Sequence, residues 1–71
     1  SRMRIKEVMN KAFVLDRDIP LKEAAKIMSD KAVGSLIIMK KDEIAGIVTE
    51  RDIIKNAGNL NKKVFSVKRK S

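Results

Sequence analysis

The chain has 71 residues and a net charge of +8, and it contains neither cysteine nor histidine. This length allows one domain, so we expect residues 1–71 to form a single domain. Without Cys or His, disulfides and nearly all zinc sites are excluded and nucleophilic catalysis lacks its usual residues, so we expect no enzyme, no catalytic residue and no metal. A domain this small buries only about 60% of the surface that its unfolded chain exposes, and a partner commonly supplies the missing stability.

No apolar run approaches the roughly 18 residues that span a bilayer, and the first residues lack the apolar stretch of a signal peptide. We therefore expect a cytoplasmic protein that makes no membrane contact. Lys and Ile are abundant and Gln is absent, a composition typical of proteins from thermophiles.

The positive charge lies at the two ends of the sequence. Between residues 12 and 61, eight Lys and Arg balance eight Asp and Glu, whereas residues 1–11 carry a net +3 and residues 62–71 a net +5. Proteins that bind nucleic acid normally carry their basic residues on a folded face, so we do not expect the core to bind it. We expect the core over about residues 5–58, followed by a basic linker or short strand over about residues 60–71.

The apolar spacing predicts the elements in chain order. A lead-in over residues 4–10 is anchored by Ile5, Val8 and Met9, and residues 13–15 form the first β-favouring run. Pro20 stands in the first turn of a helix, because apolar residues then recur at spacings of three and four as far as Ala32. The spacing therefore predicts a strand followed by an amphipathic helix.

The second half of the chain predicts a hairpin and a second helix. Val33-Gly34 ends the first helix, and residues 36–39 and 44–48 are apolar runs joined by a polar turn. Gly46 lies inside the second run, where a glycine often marks the close approach of another backbone or a ligand. Thr49 begins the second helix, and Gly58 ends it.

These elements give an α+β fold with the order β-α-β-β-α. The two helices can cover one face of the three-stranded sheet, yet both hairpin strands are apolar on both faces. The other sheet face therefore needs a cover, and a second copy of the chain is the simplest one.

Thr49, Arg51 and Asp52 are the first candidates for a binding site. A helix N-terminus attracts phosphate, Thr49 adds a hydroxyl, and the Asp52 carboxylate, one turn on, suits a ribose diol. The phosphate would then lie toward Thr49 and Arg51. The same spacing also fits a capping box, in which Thr49 and Asp52 satisfy the ends of their own helix and bind nothing. The spacing alone leaves both interpretations open.

Two segments, VGSLII at residues 33–38 and GIVTERDII at residues 46–54, resemble the cystathionine β-synthase (CBS) domain. The lead-in at residues 5–10 and the helix at residues 19–28 are similar to the same family. One departure is Ile19 before Pro20, where many members carry a Thr or Ser helix cap; Asp18 is the expected partial substitute.

The resemblance implies a module that works in pairs, called Bateman modules, and binds AMP, ADP, ATP or S-adenosylmethionine in the cleft between two domains. It assigns Thr49 to phosphate and Asp52 to ribose. Adenine contacts fall roughly on four further positions: Ala12, Phe13, Val33 and Gly34. Since this chain carries one such motif where the family usually has two, we expect a homodimer, a dimer of dimers, or a longer parent with a fused domain.

Two functions follow from these expectations. The first is a regulatory sensor that has no cofactor in the catalytic sense and binds an adenosine compound between paired domains. The alternative is a dimerisation scaffold without a small-molecule ligand, whose basic tails contact nucleic acid or another acidic partner.

Overall fold

The structure, a computed structural model, describes residues 12–69. Its strands are β1 (Ala12–Leu15), β2 (Ser35–Lys40) and β3 (Glu43–Thr49). Its helices are α1 (Leu21–Lys31), α2 (Glu50–Lys55) and α3 (Val64–Val67). The predicted β-α-β-β-α order is confirmed, and α3 is added to it. The predicted lead-in over residues 4–10 lies outside the described residues.

The three strands form one mixed sheet in the order β1-β2-β3. Strand β1 runs parallel to β2, as the helical crossover through α1 allows, and β2 runs antiparallel to β3 in a hairpin. Because side chains alternate across a pleated strand, Leu36, Ile38 and Val48 share one face of the sheet. Ile37 and Ile47 are paired on the opposite face.

The core lies between the first of these faces and the helices. Leu36, Ile38 and Val48 are fully buried there, together with Leu21 and Ala24 of α1. The spacing of three residues that predicted an amphipathic α1 is therefore the spacing that packs onto the sheet. The predicted three-stranded α+β architecture is confirmed.

The opposite sheet face, here called the open face, is apolar and uncovered by any element of residues 12–69. Val14 and Ile44 are each 58% exposed on it, and between them Ile37, Met39 and Ile47 are half-buried. A sheet face of this composition exposes apolar surface that folding alone does not remove from water. The prediction that one sheet face lacks a covering element is thus confirmed for the described residues.

Helix α1 ends before the glycine that was predicted to end it. Ala32 takes the left-handed conformation, with φ 55° and ψ 44°, at the C-terminal cap. The Ala32 N–H donates to Ser29 and the Val33 N–H donates to Met28, the bond pattern of a Schellman motif. At the other end Pro20 is the cap residue without a side-chain bond. The Asp18 carboxylate instead accepts the Phe65 N–H at 2.9 Å, so it does not cap α1 as expected.

The hairpin between β2 and β3 turns on Lys41 and Asp42. Their φ angles are 52° and 64°, so both central residues are left-handed, as a type I′ turn requires. This two-residue turn sits within the predicted polar segment, and Lys40 pairs with Glu43 across it.

Residues 60–69, here called the C-terminal strap, are folded against the body, so the expected basic linker or short strand is wrong for most of this segment. The Leu21 N–H donates to Lys62 and the Val64 N–H to Ile19, both at 2.8 Å. Val64 is fully buried in the core. Helix α2 likewise ends at Lys55, with Asn56 as its cap, rather than at Gly58.

Candidate functional site

Thr49 and Asp52 form a complete capping box where β3 passes into α2. The Thr49 N–H donates to Asp52 Oδ2 at 2.8 Å, and the Asp52 N–H donates to Thr49 Oγ1 at 3.4 Å. The Thr49 hydroxyl also donates to Asp52 Oδ2, at 3.1 Å. This local pairing is the arrangement that the spacing of three residues allows. Both residues therefore have a structural role.

The capping box uses one oxygen of the Asp52 carboxylate. Both Thr49 donors reach Oδ2, and Arg69 Nη2 lies 3.6 Å from the same atom. None of these contacts involves the second carboxylate oxygen, Oδ1. The Asp52 side chain is only 7% exposed, yet a carboxylate can accept about four hydrogen bonds through its two oxygens. The capping box alone therefore does not exclude the ligand interpretation, because it uses only Oδ2.

The strand register brings two of the predicted binding residues, Ala12 and Thr49, to one end of the sheet. Ala12 pairs with Ser35, and Ser35 pairs with Thr49, so these three form a row across β1, β2 and β3. Neighbouring strands are about 4.8 Å apart, so the row spans roughly 10 Å. The alternation that turns Val48 to the core turns this row toward the open face. We call Ala12, Ser35, Thr49 and Asp52 the row site.

Ser35 belongs to the row but was not among the predicted residues. Its signal lay in the sequence, since it follows Val33-Gly34 at the start of β2, but only the register of the sheet places it between Ala12 and Thr49. Gly34 lies beside it, and its carbonyl accepts the Glu50 N–H at 3.1 Å. That bond holds the start of β2 next to the start of α2.

Three other predicted residues lie apart from the row. Phe13, on β1, is half-buried, and Lys31 Nζ lies 5.5 Å from its ring centroid. Val33 is buried against the core. Arg51 is exposed, and neither ion pair of residues 12–69 involves it. The structure therefore places Ala12 in the row and Gly34 beside it, whereas Phe13, Val33 and Arg51 lie apart from it.

A groove of about 310 Å³ lies on the helix side of the molecule, away from the row. It runs between α1 and α2, and Ile54, 72% exposed, stands at its edge. The lining residues are Ala25, Met28, Ser29, Val33, Glu50, Ile53 and Ile54. Of the predicted binding residues only Val33 lines it. The groove described for residues 12–69 therefore does not coincide with the row site.

The C-terminal strap reaches the edge of β3 beside the row. The Ile47 N–H donates to the Arg69 carbonyl at 2.8 Å, and the Arg69 N–H donates to the Ile47 carbonyl at 3.0 Å. Gly46 makes this approach feasible, because a Cβ on it would lie 2.4 Å from the Arg69 oxygen. The predicted close approach of another backbone at Gly46 is confirmed. The arrival of Arg69 at Asp52 was not predicted.

Two further observations limit the chemistry of the described part of the chain. Residues 12–69 contain no cluster of three or more acidic side chains that could hold a metal ion. Among the same residues, no helix is long and apolar enough to cross a membrane.

A sequence model of the CBS domain matches residues 5–59. The chain belongs to the CBS domain family. CBS domains are typically regulatory modules, many of which bind adenosine compounds, and they pair into Bateman modules. The recognition made from the two sequence segments is therefore confirmed.

Individual relatives agree with this assignment. The CBS domain is 40% identical over 50 residues to an uncharacterized 17.7 kDa protein of Acidianus ambivalens, a match that covers 69% of this chain and 30% of that protein. The chain thus spans less than a third of that relative's length. A cystathionine β-synthase domain protein fused to a Zn-ribbon-like domain shares the fold with a TM-score of 0.78 and 38% identity, over 86% of this chain and 94% of that chain.

A third neighbour carries a nucleotide. A CBS domain protein of Pyrobaculum aerophilum, complexed with AMP, has a TM-score of 0.69 and 18% identity, over 84% of this chain and 50% of that one. At this identity the likeness concerns the fold alone.

Proposed function

We propose that this CBS domain is a regulatory sensor that binds an adenosine compound, such as AMP, ADP, ATP or S-adenosylmethionine, between two paired copies. The row site is the observation that carries the proposal. It places two hydroxyl-bearing side chains and one accepting carboxylate oxygen at the sheet end, next to the open face. A ribose diol offers two O–H donors, and Asp52 Oδ1 is an acceptor that the capping box does not use.

Pairing of two copies through the open face is part of the same proposal. The apolar side chains on that face would be removed from water, and burial contributes about 25 cal/mol for each Å² of apolar surface. The rows of the two copies would then border a shared cleft between the two sheets. A ligand bound there contacts both copies, so it favours one relative orientation of the pair over others.

Isothermal titration of the chain with AMP, ATP and S-adenosylmethionine tests the proposal. We expect saturable heat with at least one compound, and loss of that heat in Asp52→Asn. Asp16→Asn is the matched control, since it removes the same charge from an exposed loop residue and should titrate like the wild type.

Thermal unfolding separates the two roles of Asp52. A ligand at 100 times its Kd stabilises the folded state by about 2.7 kcal/mol, so the wild type should gain that stability and Asp52→Asn should not. The proposal is wrong if no compound produces heat. It is also wrong if Asp52→Asn lowers stability by the same amount with and without a ligand that still binds.

The fold of the strap favours one second candidate, the dimerisation scaffold that binds nucleic acid or another acidic partner. Four of the five basic residues of the segment 62–71 lie in the described strap, and Lys62 and Lys63 are exposed on it. Basic residues on a folded surface can bind phosphate backbones with an affinity that falls steeply with salt. Fluorescence anisotropy with a labelled DNA duplex at low and high salt would measure this, and loss of binding in Lys62→Gln/Lys63→Gln would support it.

A further inference from the structure

The last described residue of the strap is held by its backbone. Arg69 makes two hydrogen bonds with Ile47, one in each direction, in an isolated antiparallel pair at the outer edge of β3. The strap is anchored upstream as well, by the buried Val64 and by the Asp18 carboxylate on the Phe65 N–H. The position of Arg69 is therefore set by several contacts and does not depend on its own side chain.

Gly46 determines how closely the strap approaches β3. A Cβ at this position would lie 2.4 Å from the Arg69 carbonyl oxygen and 3.1 Å from its carbonyl carbon. Both of these atoms belong to the backbone, so no side-chain rotation relieves the clash, and any larger residue must push the strap outward. Gly46 is thus a positioning residue for Arg69.

The Arg69 side chain reaches the row site through an ion pair with Asp52. Its Nη2 lies 3.6 Å from Asp52 Oδ2, longer than the 2.7–2.9 Å of a charge-assisted hydrogen bond, and the side chain is 57% exposed. A guanidinium carries five N–H donors in a planar fork that matches phosphate. Arg69 therefore brings a cation with unused donors to a buried carboxylate.

We propose that Arg69 is a ligand-binding residue that contacts the phosphate of a nucleotide bound at Asp52, and that Gly46 positions it. The proposal rests on the proposed function and extends it to the selection of nucleotides over nucleosides. The Asp52 carboxylate alone would repel a phosphate nearby, and Arg69 removes that repulsion while leaving the ribose contact on Oδ1 intact. Arg51, which the sequence singled out for phosphate, is exposed, and neither ion pair of the described residues holds its side chain in place.

The test compares the affinities of AMP and adenosine by isothermal titration, at one fixed salt concentration. In Arg69→Gln we expect AMP affinity to fall about tenfold or more, as loss of one charge-assisted hydrogen bond predicts, while adenosine affinity stays within about twofold. Gly46→Ala should reproduce that pattern although Gly46 contacts no ligand. Lys22→Gln is the matched control, because it removes the same charge from an exposed position on α1 and should leave both affinities unchanged.

Each other outcome contradicts the inference. Equal losses for AMP and adenosine in Arg69→Gln would mean that Arg69 only supports Asp52. A gain in adenosine affinity would mean that Arg69 competes with ribose for the carboxylate. An unchanged ratio in Arg69→Gln, with the wild type saturating, would overturn the role of Arg69 and leave the proposed function standing. A wild type that saturates with neither compound overturns the inference, and if ATP and S-adenosylmethionine also fail, the proposed function falls with it.

Discussion

The substitution Val64→Ala tests whether the C-terminal strap belongs to the folded domain. Val64 is fully buried, and its N–H donates to the Ile19 carbonyl, which the substitution leaves in place. The substitution removes two buried carbon atoms, each of which contributes about 0.8 kcal/mol, and the cavity left behind adds to this cost. We therefore expect the free energy of unfolding to fall by about 2–3 kcal/mol. For a domain of this size that lowers Tm by roughly 10–20 °C.

Urea unfolding at a fixed protein concentration, followed by circular dichroism, measures the loss. Val67→Ala is the matched control, because it makes the same chemical change in the same short helix at a half-buried position, and it should cost about 1 kcal/mol or less. A free energy of unfolding within about 0.5 kcal/mol of the wild-type value is what a substitution in a solvated linker would give. That result would mean that the strap is not part of the core and does not hold Arg69 in place.

Three further variants test other parts of the structure. Ala32→Gly should raise the free energy of unfolding by about 1 kcal/mol, because the left-handed cap strains alanine and not glycine; a loss in urea unfolding would contradict the Schellman cap. The double variant Lys41→Asn/Asp42→Gly should raise the free energy of unfolding by about 0.5–1 kcal/mol, and with it Tm, because Asn-Gly suits the type I′ turn. A lower Tm would refute that turn. Val14→Asp should give monomers in sedimentation equilibrium while circular dichroism stays native, and a retained dimer would rule out pairing through the open face.

The sequence predicted the elements whose signals are local and repeated. Helix α1 repeats its apolar residues over three turns, and the hairpin strands are bounded by a polar turn, so periodicity was enough to find them. Helix α3 has four residues, too few for a periodicity to be read. Its fold depends on hydrogen bonds that its N–H groups donate to Ile19 and Asp18, which are far away in the sequence. Ala32 gave no signal either, because an alanine rarely adopts the left-handed conformation.

In the candidate site, too, contacts between residues near in sequence could be predicted, and contacts that depend on the fold could not. The contact between Thr49 and Asp52 spans three residues, so the spacing alone predicted it. Ser35 joins Thr49 only through the register of β2 with β3, and Arg69 reaches Asp52 only because the strap returns to the edge of β3. The interior Gly46 indicated that a backbone approaches there, but nothing in the sequence said which one.

The proposal of an adenosine site at Thr49 and Asp52 is best tested by nuclear magnetic resonance of the uniformly ¹⁵N-labelled chain during titration with AMP. This measurement reports both binding and its location. We expect saturable shifts in the amides of the row site and of Gly34 beside it, with Ala25 and Ile54 of the helix-side groove unchanged. Shifts confined to Ala25, Ile54 and the rest of that groove, or no shifts at saturating AMP, ATP and S-adenosylmethionine, would contradict an adenosine site at Thr49 and Asp52.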